Sequence, residues 1–180
     1  MKLRVSRSTL GIIISAIAFA GVFPVIFGLV SRWLDQVFGL PPLFGPPLSS
    51  IITAGFWLIG AFWVFWAYSY LIFVGGGSPF EVFGFALEPT KQLVTSGPYS
   101  YTRNPAIFGL LWIFAGISTL LQSMGGLILL PILAIIIIIY LKAFEESGLV
   151  RRFGADYEHY RQHVPLLFPR LITYIKPEAV

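Results

Sequence analysis

The sequence contains no cysteine, which excludes disulfides, thiolate-bound zinc, iron–sulfur clusters and a cysteine nucleophile. Charged residues are also scarce, because they make up only 11% of the 180 residues, whereas soluble domains carry about 25%. Hydrophobic residues make up 57%, so the chain has too few polar side chains to cover the surface of a soluble enzyme. The same composition excludes an intrinsically disordered chain, because disorder requires low hydrophobicity and high charge. The composition therefore indicates an integral membrane protein.

Long uncharged stretches predict where the chain crosses the membrane, since a spanning helix needs about 20 apolar residues. Residues 9–30 form the first predicted span and residues 48–74 the second. Between them, residues 38–47 contain prolines that a regular helix does not tolerate, so this segment is expected to be an interfacial loop.

The uncharged stretch at residues 104–141 is nearly twice as long as one span requires, at about 1.5 Å per residue. A polar break at residues 122–126 divides it. The stretch therefore predicts a helical hairpin with arms at residues 105–121 and 126–141. Gly109 is expected to let helices approach closely, as small residues do in membranes.

Two polar segments remain, the loop at residues 75–104 and the tail at residues 142–180. Within the tail, residues 145–163 predict a polar or amphipathic helix that Pro165 and Pro169 end. Positive charges lie at the N-terminus, in the loop and in the tail, which places both termini and both polar segments in the cytoplasm by the positive-inside rule.

The expected fold is an all-α, multi-pass integral membrane protein with about four transmembrane helices and a C-terminal helical hairpin. We divide it into N-terminal spans at residues 1–74 and a core at residues 75–180. Because the loop and the tail hold nearly all the polar side chains, any active site is expected there, on the cytoplasmic side.

The first candidate cluster lies just before the predicted hairpin. Asn104 precedes Pro105, which is a common arrangement at the start of a helix. One interpretation is therefore a capped helix with Arg103 reaching toward the headgroups. The second cluster begins with Glu145 and Glu146 beyond the last span, where the helix dipole disfavours acids unless a cation is bound.

Together the two clusters resemble a known family, that of the isoprenylcysteine carboxyl methyltransferases and the related prokaryotic phospholipid methyltransferase-like membrane proteins. The resemblance covers about residues 75–171. It is carried by the motifs Gly97-Pro98-Tyr99, Arg103-Asn104-Pro105 and Gly109, then Glu145-Glu146, Leu149, Phe153-Gly154, Tyr157, Tyr160, Val164-Pro165 and Pro169-Arg170.

The resemblance implies an integral membrane methyltransferase that uses S-adenosylmethionine, with Arg103 and Glu146 in the catalytic centre. It implies a lipophilic acceptor, such as the carboxylate of a prenylcysteine-like substrate, that arrives from the bilayer. One wall of the implied cofactor pocket consists of Leu93, Val94, Gly97, Pro98, Tyr99, Arg103 and Asn104. The other consists of Glu145, Glu146, Tyr157, Tyr160 and Pro165.

Two positions depart from the family pattern, and both bear on the acceptor rather than on the cofactor. Asn104 stands where the family usually has histidine, and Ile107 stands where it often has tyrosine. A carboxylate acceptor needs no general base. For an amine or hydroxyl acceptor, His159 and His163 are the imidazole candidates.

The same residues leave two alternative interpretations open. A sterol-type reductase that uses a nicotinamide cofactor and a non-catalytic membrane subunit are the alternatives. His159 and His163 are four residues apart, but no motif places a third ligand, so no metal site is expected. The bases of the tail alternate with acids, which gives nucleic-acid binding no support. The expected partners are the lipid bilayer and the acceptor, and the oligomeric state stays open.

Overall fold

The computed structural model describes residues 21–77, 81–82, 85–86 and 90–175. The regular structure of the described chain is helical apart from one hairpin of two-residue strands and an isolated β-bridge between Pro42 and Ser123. Its α-helices are α1 (Phe23–Phe38), α2 (Leu48–Phe73), α3 (Pro105–Leu120), α4 (Met124–Tyr140), α5 (Glu146–Phe153) and α6 (Ala155–His163). A 3₁₀ turn covers Gly97–Ser100, a π-helical turn covers Leu141–Glu145, and the antiparallel strands are β1 (Glu81–Val82) and β2 (Phe85–Ala86).

Two described helices are long and apolar enough to cross a membrane by length and composition, namely Leu48–Phe73 and the continuous helix Met124–Phe153. The helix Pro105–Leu120 is apolar but shorter. Large apolar side chains on these helices face outward, as Phe65 does with 76% of its surface exposed. The first predicted span lies partly outside the described residues, so a total of four spans stays a prediction.

The sequence predicted the start of the helix after the proline-rich loop correctly, but not the end of the helix before it. The predicted loop at residues 38–47 is confirmed, because α1 ends at Phe38 and α2 begins at Leu48. The predicted end of the first span at residue 30 does not end the helix. Charges such as Asp35 do not break a helix, and α1 continues until Gly39 adopts a left-handed conformation.

Helices α2 and α3 pack antiparallel through small residues. Gly60 and Gly109 face each other so closely that a Cβ on either would lie 2.7 Å from the other's carbonyl oxygen. Farther along the same interface, the hydroxyls of Thr53 and Thr119 are 2.7 Å apart. The close approach predicted for Gly109 is therefore confirmed, and it fixes the first turns of α3 against the middle of α2.

The bundle has two dissimilar ends. At one end the proline-rich loop meets the α3–α4 turn, where the Leu43 amide donates to the Gln122 carbonyl and the Gly125 amide donates to Asp35 at 2.7 Å. A cleft of about 330 Å³ opens there beside Arg32. At the other end, backbone hydrogen bonds join residues 100–103 to the tail, so the polar loop and the tail meet as predicted. The side of a membrane that this end faces stays a prediction.

The tail differs from the single helix predicted at residues 145–163. The helix of α4 runs through the π turn into α5, and Gly154 then breaks it at a φ of 53° before α6 begins. The polar pattern alone did not reveal this break, although glycine is the usual residue at such a positive φ. The end of α6 at His163, ahead of Pro165, is as predicted.

Candidate functional site

The segment before α3 is fixed from behind by α2. Val94 and Tyr99 are buried and pack against Ala67 of α2. Gly97 adopts a φ of 58°, and a Cβ there would lie 2.3 Å from the Tyr70 ring. Gly97 and the buried Val94 therefore support the segment sterically, rather than offering a polar group to a ligand.

An arginine, a glutamate and a tyrosine from three different segments meet at this end of the bundle. Arg103 Nη1 forms an ion pair with Glu146 Oε1, and their side chains are only 10% and 12% exposed. The Tyr157 hydroxyl lies 3.4 Å from the same Arg103 nitrogen and 3.3 Å from the same Glu146 oxygen. The structure thus brings together the two residues predicted as catalytic.

The backbone around Arg103 is held by the residues that follow α6. The Arg103 amide donates to the Pro165 carbonyl at 2.9 Å, and the buried Thr102 hydroxyl donates to the Leu167 carbonyl at 2.9 Å. The Asn104 side-chain amide donates to the Leu166 carbonyl at 3.0 Å.

These contacts correct the interpretation of this segment as a plain helix start. Asn104 occupies the cap position of α3, but its side chain makes no capping hydrogen bond because it is bonded to the tail. Arg103 does not reach toward headgroups, because Glu146 holds it in the interior. Asn104, through the Leu166 carbonyl, and Pro165, through the Arg103 amide, therefore both help to hold the tail against the segment before α3.

Helix α6 forms the second wall with two buried tyrosines. Tyr157 and Tyr160 are 1% and 2% exposed, and Leu93 packs against their cluster. The Tyr160 hydroxyl donates to the Tyr99 carbonyl at 2.6 Å, which ties α6 to the segment before α3.

The hydroxyls of Tyr99, Tyr157 and Tyr160 stay protonated over a wide range of pH. Burial raises the pKa of Tyr157, and the Glu146 carboxylate raises it further, whereas Arg103 opposes both. Burial also raises the pKa of Tyr160, and burial again raises that of Tyr99. All three therefore act as neutral hydrogen-bonding groups, not as bases.

Because these tyrosines stay protonated in the folded chain, we expect the protein to become less stable at alkaline pH. An unfolded tyrosine loses its proton near pH 10, while Tyr160 in the folded chain keeps its own, so the free energy of unfolding should fall as pH rises above about 10. Each such hydroxyl contributes up to about 1.4 kcal/mol per pH unit. Tyr160→Phe should flatten the decline when unfolding in detergent is followed by tryptophan fluorescence. Equal slopes for wild type and variant would contradict this, and Tyr101→Phe controls for loss of a hydroxyl elsewhere.

The π-helical turn determines which of the two glutamates, Glu145 or Glu146, faces Arg103. An inserted residue rotates the following helix by about 100°, because a regular α-helix turns once in 3.6 residues. The turn ends at Glu145, and the next residue, Glu146, meets Arg103. Glu145 is close enough to raise the pKa values of Tyr99 and Tyr157, so it lies at the edge of the same group.

Two buried guanidinium atoms in this region lack partners. The Nε atoms of Arg103 and Arg170 make no hydrogen bond within the part of the chain that the structure describes. Arg170 acts electrostatically on Tyr160, which places its guanidinium near the same group. An anion such as a carboxylate would satisfy such donors, because guanidinium binds carboxylates strongly.

The sequence prediction missed two residues of this region. Thr102 was not singled out, although its hydroxyl binds the tail and its side chain is fully buried. Arg170 belonged to the recognised motifs without a role, and its position after Pro169 was the available signal. Pro98, which the resemblance assigns to the cofactor pocket, is fully buried in the 3₁₀ turn.

The two histidines lie on the outer surface of α6. Their rings are 4.4 Å apart, and His163 Nδ1 lies 2.7 Å from the carbonyl oxygen of His159. Among the residues with described positions, no group of three metal-ligating side chains occurs. Neither histidine contacts the Arg103–Glu146 pair in any described hydrogen bond.

Comparison with known proteins gives a family match and a similar curated protein. The family model for phospholipid methyltransferase matches residues 48–156. "Methanethiol S-methyltransferase 2" of Bradyrhizobium diazoefficiens is 31% identical over 133 residues, which is 67% of this chain and 48% of that protein. The chain thus spans about half the length of this curated relative. No solved structure matches the chain.

Both matches fit the family that the motifs indicated. The family match begins at residue 48, so it includes α2 as well as the loop motifs and the first of the tail motifs on which the resemblance rested. It also covers Arg103 and Glu146, and it ends at residue 156, two residues into α6.

Proposed function

The chain belongs to the phospholipid methyltransferase family, and from this premise we propose that it is an integral membrane methyltransferase dependent on S-adenosylmethionine. The observation that carries the proposal is the buried Arg103–Glu146–Tyr157 group at the end of the bundle where loop and tail meet. A buried ion pair is costly to desolvate and is weak evidence for a purely stabilising role.

The side chains present fit the cofactor. S-Adenosylmethionine carries a carboxylate, an ammonium, a sulfonium and ribose hydroxyls. The unpartnered Nε atoms of Arg103 and Arg170 suit the carboxylate. Glu145 and Glu146 suit the positive groups or the ribose hydroxyls.

The protein's part in the chemistry is to align and to exclude water. When bound, S-adenosylmethionine supplies a methyl group already activated on a sulfonium. The ion pair fixes the positions of the Arg103 and Glu146 side chains, and the Tyr157 hydroxyl contacts both of them. Alignment of donor and acceptor can lower a barrier by about 7–11 kcal/mol. Tyr99 and Tyr160 close the back of the site through their hydrogen bond.

For the acceptor we propose a lipophilic molecule that approaches from the bilayer, such as a prenylcysteine-like carboxylate or another lipid-like substrate. The site lies where the apolar helices end, which suits an acceptor with an apolar tail. A carboxylate would need no base, and the neutral tyrosines provide none. We further propose that both termini and the site face the cytoplasm.

A small thiol is the second candidate acceptor. The specific observation in its favour is the name of the relative that is 31% identical, a methanethiol S-methyltransferase. The thiolate is the nucleophilic form of a thiol, and a thiol ionises far more easily than an alcohol hydroxyl, so a thiol acceptor needs a weaker base than a hydroxyl acceptor does.

Calorimetric titration tests the proposed cofactor first. The full chain in lipid nanodiscs should bind S-adenosylmethionine and its demethylated product S-adenosylhomocysteine, but not NADPH. Binding of NADPH alone would favour the reductase alternative. Absence of binding to well-folded protein would overturn the proposed function and favour a non-catalytic subunit.

Transfer of a labelled methyl group then separates the acceptors. The lipid arm uses a farnesylated cysteine derivative and total bacterial phospholipid, and the thiol arm uses methanethiol. We expect label in the lipid arm. Label in methanethiol alone would replace the lipophilic acceptor with a thiol while leaving the methyltransferase proposal in place.

A further inference from the structure

The segment after α6, which we call the C-terminal strap (residues 165–175), carries large apolar side chains that no part of the described chain covers. The exposed fractions are 59% for Phe168, 99% for Leu171, 77% for Ile172 and 84% for Ile175. Four such side chains within eight residues form an exposed apolar patch, and a patch of this kind marks a contact with a partner or a membrane.

The strap is held in place rather than loose. The Arg170 amide donates to the Tyr101 carbonyl at 3.1 Å, and the Tyr174 amide donates to the Ser100 carbonyl at 3.0 Å. The side chain of Tyr174 packs against Tyr160, with ring centroids 5.7 Å apart. The apolar side chains of the strap are therefore presented in a fixed position.

That position is close to the start of α3. The strap is bonded to Ser100 and Tyr101, which precede the first residue of α3 by a few positions. The ring of Tyr101 lies beside the rings of Trp63 and Trp66 in α2. The exposed apolar side chains of the strap are therefore held beside the apolar helices α2 and α3.

Charge at the strap suits an anionic surface. The strap itself contains one base, Arg170, and no acid, and Lys176 follows it directly in the sequence. Anionic lipids attract basic residues next to a spanning segment, and apolar side chains between the bases can enter the headgroup–acyl boundary.

We propose that the C-terminal strap lies in the surface of the anionic leaflet, with Leu171, Ile172 and Ile175 inserted below the headgroups. This inference rests on the proposed membrane function. Because the same strap holds Arg103 and Thr102 through its first residues, the site behind it opens at headgroup level. A lipophilic acceptor would then reach the site without leaving the bilayer.

The absence of cysteine makes this position measurable with single spin labels. Leu171→Cys is labelled with a nitroxide in the full chain, in nanodiscs of phosphatidylcholine and phosphatidylglycerol. Collision rates with oxygen, which concentrates in lipid, and with a nickel chelate, which stays in water, report the surroundings. Ile135→Cys on the outer face of α4, 58% exposed, is the lipid control, and Gln162→Cys on the exposed side of α6 is the water control.

We expect the ratio of the collision rates at Leu171 to shift toward oxygen relative to Gln162, and to shift less when phosphatidylglycerol is omitted. A ratio at Leu171 equal to that at Gln162 would overturn the inference. Shielding of Leu171 from both reagents would also overturn it, because protein would then cover the patch. The Ile135 label tests the proposed function separately, since a water-exposed label there would overturn the membrane assignment itself.

Discussion

Replacing Arg103 with alanine is expected to weaken binding of S-adenosylmethionine by more than tenfold, which is about 1.4 kcal/mol. The change removes the unpartnered Nε donor, and it leaves the Glu146 carboxylate, only 12% exposed, without its cation. Breaking a buried ion pair costs about 3–5 kcal/mol, so the thermal unfolding temperature should fall as well. Calorimetric titration and thermal unfolding of the same preparation measure the two effects.

Two further variants separate binding from folding. Arg103→Lys keeps the positive charge but loses the planar fork and the Nε donor, so it should restore much of the stability and little of the binding. Arg161→Ala is the matched control, because Arg161 pairs with Glu158 at 3.2 Å while both side chains are well exposed. Exposed pairs contribute little, and this variant should behave like wild type.

A double-mutant cycle completes the test of the pair. If Arg103 and Glu146 act together, the variant that carries both Arg103→Ala and Glu146→Ala should lose less than the sum of the two single losses. Binding in Arg103→Ala equal to that in wild type would remove Arg103 from the cofactor site, whatever happens to stability.

The second large effect is expected where α2 crosses α3. Gly109→Ala should separate the two helices, because its Cβ would lie 2.7 Å from the Gly60 carbonyl oxygen, a backbone atom that cannot move aside. Overpacking costs about 1–3 kcal/mol, and contact with a backbone places this change at the upper end, ~3 kcal/mol. We expect a lower unfolding temperature and a smaller monodisperse fraction in size-exclusion chromatography.

Helix α2 itself provides the control for this substitution. Gly55 lies in the same helix as Gly60, and a Cβ there would have nothing within 4 Å. Gly55→Ala should leave stability unchanged or raise it slightly, because alanine favours a helix more than glycine does. If Gly109→Ala and Gly55→Ala unfolded at the same temperature, close approach at Gly109 would not hold the two helices together.

The sequence was most informative where hydrophobicity or proline determines structure. Hydropathy predicted α2 to within one residue of its end, and prolines predicted the loop before it. Pro105 likewise marked the start of α3. These signals are local, since each depends on a few neighbouring residues and on the need to satisfy backbone groups in an apolar medium.

The candidate site was less predictable because it is not local. Its residues came from the resemblance, while their pairing came from the structure, since Arg103 and Glu146 are separated by the whole hairpin. The π turn leaves no hydrophobic signature, because one inserted residue in an apolar helix changes its direction and not its composition. The strap has no periodicity either, since hydrogen bonds to residues 100–103 shape it.

The position of Thr102 has a consequence for the order in which the molecule is made. Its hydroxyl finds acceptors only 63, 64 and 65 residues further along the chain, at the carbonyls of residues 165–167. The whole α3–α4 hairpin is therefore synthesised before Thr102 can reach its partners. A nascent chain that stops short of residue 165 already contains both arms of the hairpin but lacks every carbonyl that the Thr102 hydroxyl contacts.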